Sequence, residues 1–284
     1  MPEKIPAVLN DLSLVPLRVR ARFKDIVVGN ATSFAYTSLD STYLATNWHV
    51  VTGRHPDTGK PLDNETTAIP DNLLVTVPFQ RKEPETPTLL TVWWEVWSVP
   101  LYKDVERRDP NWFEHPDHGP TVDVVAIPLT TQREHIAVVA ANDSTRLALN
   151  SPVLDRPLSV YVLGYPLGIA GVLEWPIWKR ATIANEPEFP LDGLPKLYID
   201  TATRKGMSGA PVFVDEMGAW LSEQPDGSRI MQLGGRGRKF VGIYAARDGH
   251  STEFEAQLGI VWKAVAIDQI IAGRKHGASP FWPT

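Results

Sequence analysis

Short runs of apolar and β-branched residues, each ended by turn-forming residues, recur along the whole chain of 284 residues. The first half contains runs such as LRVRARF and TSFAYTS, and the second half contains runs such as LSVYVLGYP and KFVGIYAA. The 25 prolines and 20 glycines are spread between the runs rather than clustered. Short β runs at this spacing, about six in each half, are typical of sandwiches and barrels. The sequence therefore predicts an all-β fold.

A polar segment separates the two sets of β runs and predicts a boundary between two units. It covers residues 142–156 and contains SPVLDRP, with a proline near each end. We expect an N-terminal β-barrel over residues 1–141, a linker over 142–156 and a C-terminal β-barrel over 157–284.

Two further segments of the second half are predicted from local pattern. Ala264, Ile267 and Ile271 recur at helical spacing, and Gly273 is placed to cap the end of that helix. The segment EMGAWLSEQPDGSRIMQLGGRGRK is rich in turn formers and is predicted to be a loop between two strands. The charges of its GGRGRK end are predicted to be solvated at a hairpin tip.

Composition excludes several classes of function. The chain has no cysteine, which removes disulfides, thiol nucleophiles and zinc–thiolate sites, and its net charge of −5 gives no support for nucleic-acid binding. No apolar run reaches the length of about 18 residues that a membrane span needs. The N-terminal sequence lacks the pattern of a signal peptide. We expect a cytoplasmic protein from the sequence as given, or an extracytoplasmic one if the sequence is a trimmed mature form.

One serine, one histidine and one aspartate stand in positions that suit nucleophilic catalysis. Ser208 lies in KGMSGAPVF, His49 is predicted to end the β run YLATNWHVV, and Asp123 opens DVVAIPL. A serine hydroxyl needs a neighbouring base, and the base needs an orienting carboxylate. The chain order His–Asp–Ser, with separations of 74 (123 − 49) and 85 (208 − 123) residues, is one of the orders that triads use.

The small residues around Ser208 also predict a site for a negatively charged oxygen. The backbone N–H groups of Gly206, Met207 and Ser208 are the candidate donors of an oxyanion hole. Gly206 permits φ values that a side chain would resist, and Gly209 lets a substrate backbone approach.

The motifs ATNWHVV, DVVAIPL, VLGYPLG, KGMSGAPVF and LGIVWKAVAIDQII resemble those of trypsin-like serine proteases of the chymotrypsin fold. The nearest resemblance is to the disulfide-free bacterial branch that includes the HtrA-type proteases, and it runs over residues 26–271. It implies two antiparallel Greek-key barrels of six strands each, a C-terminal α-helix and an active site between the barrels. It also implies that His49 is the general base, Asp123 its orienting partner and Ser208 the nucleophile.

The same resemblance implies where a peptide substrate would bind. Its backbone would pair with the strand formed by Tyr244, Ala245, Ala246 and Arg247, and Gly259 would line the primary specificity pocket. Counting back six residues from Ser208 places uncharged Ala202 at the pocket floor, although Thr201, Thr203 and Asp200 are close to that register.

Arg247 stands where relatives keep a glycine, and we expect it to narrow the pocket entrance. The sequence therefore predicts cleavage after small or medium apolar residues, or acidic ones, and poor cleavage after lysine or arginine.

Two departures from the family pattern bear on regulation. Met207 replaces the aspartate that, in zymogen-type relatives, pairs with a newly formed N-terminus, so no such activation switch is expected. The motifs end with the terminal helix, and no HtrA-type PDZ domain is expected.

Alternatives remain beside the leading hypothesis of a serine endopeptidase. The same triad would serve an esterase, and a catalytically silent member would be a binding module. In FEHPDHGP, the side chains of His115, Asp117 and His118 are metal-ligand types, although a solvated turn is favoured because proline and glycine break the backbone there. No metal or cofactor is expected. The expected partner is a peptide or protein substrate, or a small ester, and not nucleic acid or a membrane.

Overall fold

The computed structural model describes residues 10–38, 41–80, 92–129, 138–155, 157–202, 204–224, 226–247 and 258–282. Within these ranges the protein is built from two antiparallel β units and a helix near the C-terminus, so the predicted all-β class is confirmed. Among the same residues, no helix combines the length and the apolar character needed to cross a bilayer.

The first unit is an eight-stranded antiparallel sheet, formed chiefly by the N-terminal half of the chain. In chain order its strands are β1 (Pro16–Phe23), β2 (Ile26–Ser38), β3 (Ser41–Thr46), β4 (Asn72–Gln80), β5 (Val92–Pro100), β6 (Phe113–Glu114), β7 (Val125–Pro128) and β14 (Lys275–His276). The order across the sheet is β14-β6-β7-β3-β2-β1-β4-β5. The strand number exceeds the expected six because two strands of two residues each, β6 and β14, extend one edge.

The second unit is a closed barrel of six antiparallel strands, as expected. In chain order they are β8 (Ser159–Gly164), β9 (Ile177–Ile183), β10 (Lys196–Asp200), β11 (Pro211–Glu223), β12 (Arg229–Arg247) and β13 (Leu258–Lys263). The order around the barrel is β10-β13-β12-β11-β8-β9.

The long segment predicted to be a loop after Ser208 is instead a paired hairpin. Strands β11 and β12 stay in register from Pro211↔Ile243 to Glu223↔Arg229, with irregularities after Val212 and Met217. The turn residues of this segment therefore make bulges and the hairpin tip rather than an open loop.

Two α-helices occur among the described residues, and each differs in detail from expectation. Helix α1 (Trp48–Thr52) directly follows β3, so His49 lies in a short helix and the prediction that it ends a β run is wrong. Gly53 ends α1 in the left-handed conformation and donates its N–H to the His49 carbonyl. Helix α2 (Ala264–Gly273) was predicted, but its left-handed cap is Arg274 rather than Gly273.

The cores of the two units meet in a shared apolar layer. Phe34 of the first sheet packs edge-on against Phe240 of the barrel, and Phe213 packs on the same Phe240 ring. Ile267 and Ile271 of α2 are fully buried in this layer. The two units are therefore held together by a continuous core, with the catalytic candidates on the elements that border it.

Each end of the described chain packs on the opposite unit. Near the N-terminus, the Asn10 side chain accepts a hydrogen bond of 2.8 Å from Arg238 on the barrel, and Ser13 accepts one of 3.0 Å from the Trp178 indole. Arg238 also pairs with Asp215 and is buried, so the prediction that the GGRGRK charges are solvated is wrong for this residue. Near the C-terminus, β14 completes the first sheet.

The segment between the two units runs beside the hairpin. The Val153 N–H donates to the Leu221 carbonyl at 2.8 Å, and Pro152 forms a bridge with Ser222. Arg156, at the end of the expected linker, lies outside the described residues. The division at 141 and 157 stays a prediction.

Candidate active site

His49 and Asp123 are in direct contact where β3 ends and β7 begins, in the interior of the first sheet. Their side chains approach to 2.7 Å between Nδ1 and Oδ2, and the second carboxylate oxygen accepts the His49 backbone N–H at 2.9 Å. Both carboxylate oxygens are thus occupied by one residue, which fixes the orientation of the imidazole. With Nδ1–H donating to the carboxylate, Nε2 is left as the basic nitrogen of the neutral ring.

The local sequence explains why these two residues meet. Asn47 has an extended backbone that turns the chain from β3 into α1, and its side-chain N–H₂ group donates to the Asp123 carbonyl at 2.7 Å. Asp123 lies two residues before β7, which pairs with β3 from Thr46↔Val125 onward. The pairing of β3 with β7 therefore brings Asp123, which precedes β7, beside His49, which follows β3.

Ser208 stands in a turn that requires glycine at positions 206 and 209. Gly206 has φ +95° and Gly209 has φ +84°, both in the region that side chains rarely adopt. A Cβ on Gly206 would lie 2.7 Å from the Leu167 nitrogen, and one on Gly209 would lie 2.5 Å from the Thr46 hydroxyl. The glycines noted in the sequence are thus required both by backbone conformation and by space.

Two backbone donors next to the Ser208 hydroxyl have no partner among the described residues. Within the described part of the chain, the N–H groups of Gly206 and Ser208 make no hydrogen bond, whereas the Met207 N–H donates to the Arg204 carbonyl at 3.2 Å. Met207 is therefore removed from the expected oxyanion donors, because its amide is already satisfied within the turn. Gly206 and Ser208 remain, and their free amides match the requirement for an anion site.

A buried threonine that the sequence did not single out holds this turn in place. The Thr32 backbone N–H donates to the Ser208 carbonyl at 2.8 Å, and its hydroxyl donates to the Gly206 carbonyl at 2.9 Å. The same hydroxyl accepts the Tyr165 N–H at 3.2 Å, and the Thr32 carbonyl accepts the Thr46 hydroxyl at 2.9 Å. Thr32 lies in an ordinary β run, and no feature of the sequence distinguishes it.

The turn Pro166–Gly168 fixes the peptide that precedes Gly206. Leu167, at φ +55°, donates its N–H to the Lys205 carbonyl at 2.6 Å. In a trans peptide the carbonyl and the following N–H point in opposite directions. The contact with Leu167 therefore directs the Gly206 N–H away from the 166–168 turn.

The Ser208 turn approaches the end of β3, the strand that leads to His49, although no hydrogen bond joins Ser208 to His49. Among the described residues, neither the Ser208 hydroxyl nor His49 Nε2 has a hydrogen-bond partner. The Ser208 turn lies against Thr46, which precedes His49 by three residues. Catalytic hydrogen bonds are often long in substrate-free enzymes and shorten when a substrate binds.

The residues expected at the floor of the specificity pocket are placed differently by the structure. Ala202 is exposed, and its carbonyl accepts a hydrogen bond of 2.6 Å from the Lys179 ammonium group. Asp200 is also exposed, whereas Thr201 is buried and its methyl group lies close to Gly259. A buried floor suits Thr201 better than the exposed Ala202, and the residue that forms the floor stays a prediction. Thr203 lies outside the described residues.

The strand expected to pair with a substrate backbone is present and has an open edge. The pairing of β12 with β11 ends at Ile243, and beyond it the Tyr244 backbone is hydrogen-bonded to Gly209 and Ala210, next to Ser208. Within the described residues, Ala245 to Arg247 extend past the start of β11 with no strand alongside them there. An exposed edge of this kind is where an extended peptide can add as a further strand. The side chains of Ala246 and Arg247 lie outside the described part, so the effect of Arg247 stays a prediction.

His115 of FEHPDHGP is buried and hydrogen-bonded within the fold, so the prediction of a solvated turn is wrong for this residue. His115 Nδ1 accepts the N–H groups of Asp117 and His118, and its Nε2 lies 3.0 Å from Gln269 Oε1. Both ring nitrogens therefore have protein partners. Nowhere in the described ranges do three or more His, Asp or Glu side chains form a group suited to hold a metal ion.

Comparison with solved structures returned serine proteases at low sequence identity. A serine endoprotease from Yersinia pestis is 10% identical with a TM-score of 0.46, over 95% of this chain and 67% of that one. The Rv3671c protease from M. tuberculosis is 17% identical with a TM-score of 0.43, over 96% and 85% of the two chains. The protease Anisep from Arthrobacter nicotinovorans is 12% identical with a TM-score of 0.45, over 92% and 95%.

Comparisons with family models and with curated proteins gave no match. The similar structures are described as serine proteases, the class that the sequence motifs resemble. They are too distant from this chain to assign its activity, so a proposal of function has to rest on its own residues.

Proposed function

We propose that the protein is a serine endopeptidase that hydrolyses peptide bonds through an acyl-enzyme. The observation that carries the proposal is the His49–Asp123 pair together with a glycine-flanked serine, where two backbone N–H groups have no partner among the described residues. A purely structural turn has no need for unpaired amides, because a buried N–H without a partner is costly. A base, a nucleophile and an anion site together are what acyl transfer requires.

Each group has a defined role in the reaction. Ser208 Oγ attacks the scissile carbonyl carbon, its proton passes to His49 Nε2, and the carbonyl oxygen becomes an anion that accepts hydrogen bonds from Gly206 and Ser208 N–H. Asp123 keeps the imidazole oriented and stabilises the imidazolium. His49 then gives the proton to the departing amine, which leaves the acyl-enzyme. Water attacks that ester, its proton passes through His49 to Ser208 Oγ, and the carboxylic acid is released.

The open edge of β12 supplies a place for an extended substrate. A peptide that pairs with residues 245–247 would run beside the Ser208 turn, because Tyr244, the preceding residue, is hydrogen-bonded to that turn. Backbone pairing of this kind favours a polypeptide over a small ester and supports peptidase as the leading activity. Esterase activity and a silent binding role are the outcomes that the experiment has to separate from it.

The test is active-site labelling followed by hydrolysis assays. A serine-directed phosphonate should add one mass increment at Ser208, and casein should be cleaved. Ser208→Ala and His49→Ala should each lower turnover by about 10⁶-fold with unchanged circular dichroism. Ser41→Ala, at an exposed position of β3, is the matched control and should retain full activity.

Three outcomes would contradict the proposal in different ways. Strong residual turnover in Ser208→Ala would refute the triad. Hydrolysis of a p-nitrophenyl ester without any cleavage of casein or peptides would identify an esterase. An absence of both labelling and hydrolysis in the folded protein would identify a binding module.

A further inference from the structure

The side chain of Tyr244 occupies the space where a specificity pocket is expected. Its backbone is fixed to the two residues that follow Ser208, because the Gly209 N–H donates to the Tyr244 carbonyl at 2.9 Å and the Tyr244 N–H donates to the Ala210 carbonyl at 2.8 Å. The Tyr244 backbone is therefore bonded to the residues one and two positions after the nucleophile, and its side chain starts close to Ser208. Only 2% of the residue is exposed, so the ring points into the barrel.

The ring lies directly against Gly259, the residue expected to line the pocket. A Cβ on Gly259 would stand 2.6 Å from Tyr244 Cε2 and 3.3 Å from its hydroxyl oxygen, with the Thr201 methyl group at 3.1 Å. The space that this glycine leaves free is thus filled by the protein's own aromatic ring. An alanine at position 259 could not be accommodated unless the ring moved.

The second group that borders Gly259 is the side chain of Thr201. Thr201 is buried, and its hydroxyl has no hydrogen-bond partner among the described residues. Buried hydroxyl groups are normally hydrogen-bonded. A short substrate side chain, or one carrying a hydroxyl, suits such a floor, whereas a large apolar side chain would meet the ring.

We propose that Tyr244 determines the specificity of this site by restricting the residue that donates the scissile carbonyl to glycine, alanine or serine. The inference rests on the proposed function, since it concerns the same Ser208 turn. It narrows the expectation drawn from the sequence, in which medium apolar residues were also accepted. The ring stays in place because both its backbone hydrogen bonds and its packing against Gly259 fix it.

A peptide library and two phosphonate probes test the proposal. The wild type should cleave after glycine, alanine and serine, with kcat/KM for alanine exceeding that for phenylalanine by roughly 100-fold or more, the size of effect that pocket contacts supply. An alanine-type phosphonate should label Ser208 faster than a phenylalanine-type phosphonate by a similar factor. Tyr244→Val should remove most of this preference in both assays.

Matched variants keep the test decisive. Tyr244→Phe retains the ring and should retain the wild-type preference, and Tyr244→Leu replaces Tyr244→Val if circular dichroism shows that the latter does not fold. Dominant wild-type cleavage after phenylalanine, leucine, lysine or arginine would overturn the inference and leave the peptidase proposal intact. An unchanged preference in folded Tyr244→Val and Tyr244→Leu would also overturn it. Failure of both phosphonates to label the wild type would instead refute the proposed function.

Discussion

Removing the Thr32 hydroxyl should disturb the reaction without removing any group that touches the substrate. Thr32→Val keeps the shape of the side chain but deletes the atom that donates to the Gly206 carbonyl at 2.9 Å and accepts the Tyr165 N–H at 3.2 Å. Thr32 is fully buried, so the Gly206 carbonyl and the Tyr165 N–H would be left without a hydrogen-bond partner and without access to water. Each unpaired group costs about 1–3 kcal/mol, which gives about 2–6 kcal/mol in total.

That loss falls within the net stability of a typical folded domain, about 5–15 kcal/mol, so the variant should fold with a lower Tm. In this variant the Gly206 carbonyl would lose its hydrogen bond to residue 32. The N–H groups of Gly206 and Ser208, on either side of that peptide, would then shift from their positions beside the Ser208 hydroxyl. Misplacement of a catalytic group by about 1 Å costs roughly 100-fold in rate. We therefore expect kcat to fall by roughly 100-fold while KM changes little, because the anion exists only in the transition state.

The assay is steady-state hydrolysis of one good peptide substrate, with Tm measured on the same samples. Thr32→Ser keeps the hydroxyl and should restore most of kcat. Thr76→Val is the matched control: Thr76 is buried in β4 and makes no side-chain hydrogen bond to a described residue. Full kcat in Thr32→Val, or an equal loss in Thr32→Ser, would refute the positioning role.

Three further results are expected. The double variant of His49 and Ser208 to alanine should be hardly slower than either single variant, since triad members act as a unit; additive losses in the same assay would contradict this. Extra residues at the N-terminus should leave kcat/KM unchanged because Met207 offers no carboxylate to a new amine, and activity that appears only after trimming would show otherwise. Burial raises the pKa of Glu114 above 4.5, with Lys275 and the Trp48 indole opposing the shift. The folded state then holds this proton more tightly than the unfolded state, so the contribution of Glu114 to stability falls as the pH rises above 4.5. Glu114→Gln should therefore raise Tm at pH 8, with a gain that disappears as the pH falls to 4.5. An equal gain at both pH values would show that burial of the Glu114 charge is not the cause.

Patterns of short range predicted the architecture well. Alternating and apolar runs located most of the strands, and the spacing of Ile267 and Ile271 located α2, because these signals depend only on which side chains face a core. The contact between His49 and Asp123 followed from chemistry, since a carboxylate at the start of an apolar strand needs a donor. Its geometry agrees with the expectation drawn from their order in the chain.

Features set by long-range contacts could not be predicted. The segment between Asp215 and Phe240 has the composition of a loop, yet pairing across the hairpin satisfies its backbone and overrides that local preference. The role of Thr32 depends on a turn that follows it by more than 170 residues. The direction of the Tyr244 ring depends on the space left by Gly259 on the next strand of the barrel.

The exchange of chain ends between the two units makes the halves interdependent. The contact between Asn10 and Arg238 closes a loop of 228 residues. Strand β14, which pairs with β6 of the first sheet, follows all the barrel strands in the chain. Such pairings are slow to form, because the entropy of closing the loop is lost before the contacts are gained. Neither half can complete its packing alone, so unfolding should be a single cooperative transition. A break in the segment between the units should leave the two pieces bound to each other through these contacts and through the shared apolar layer.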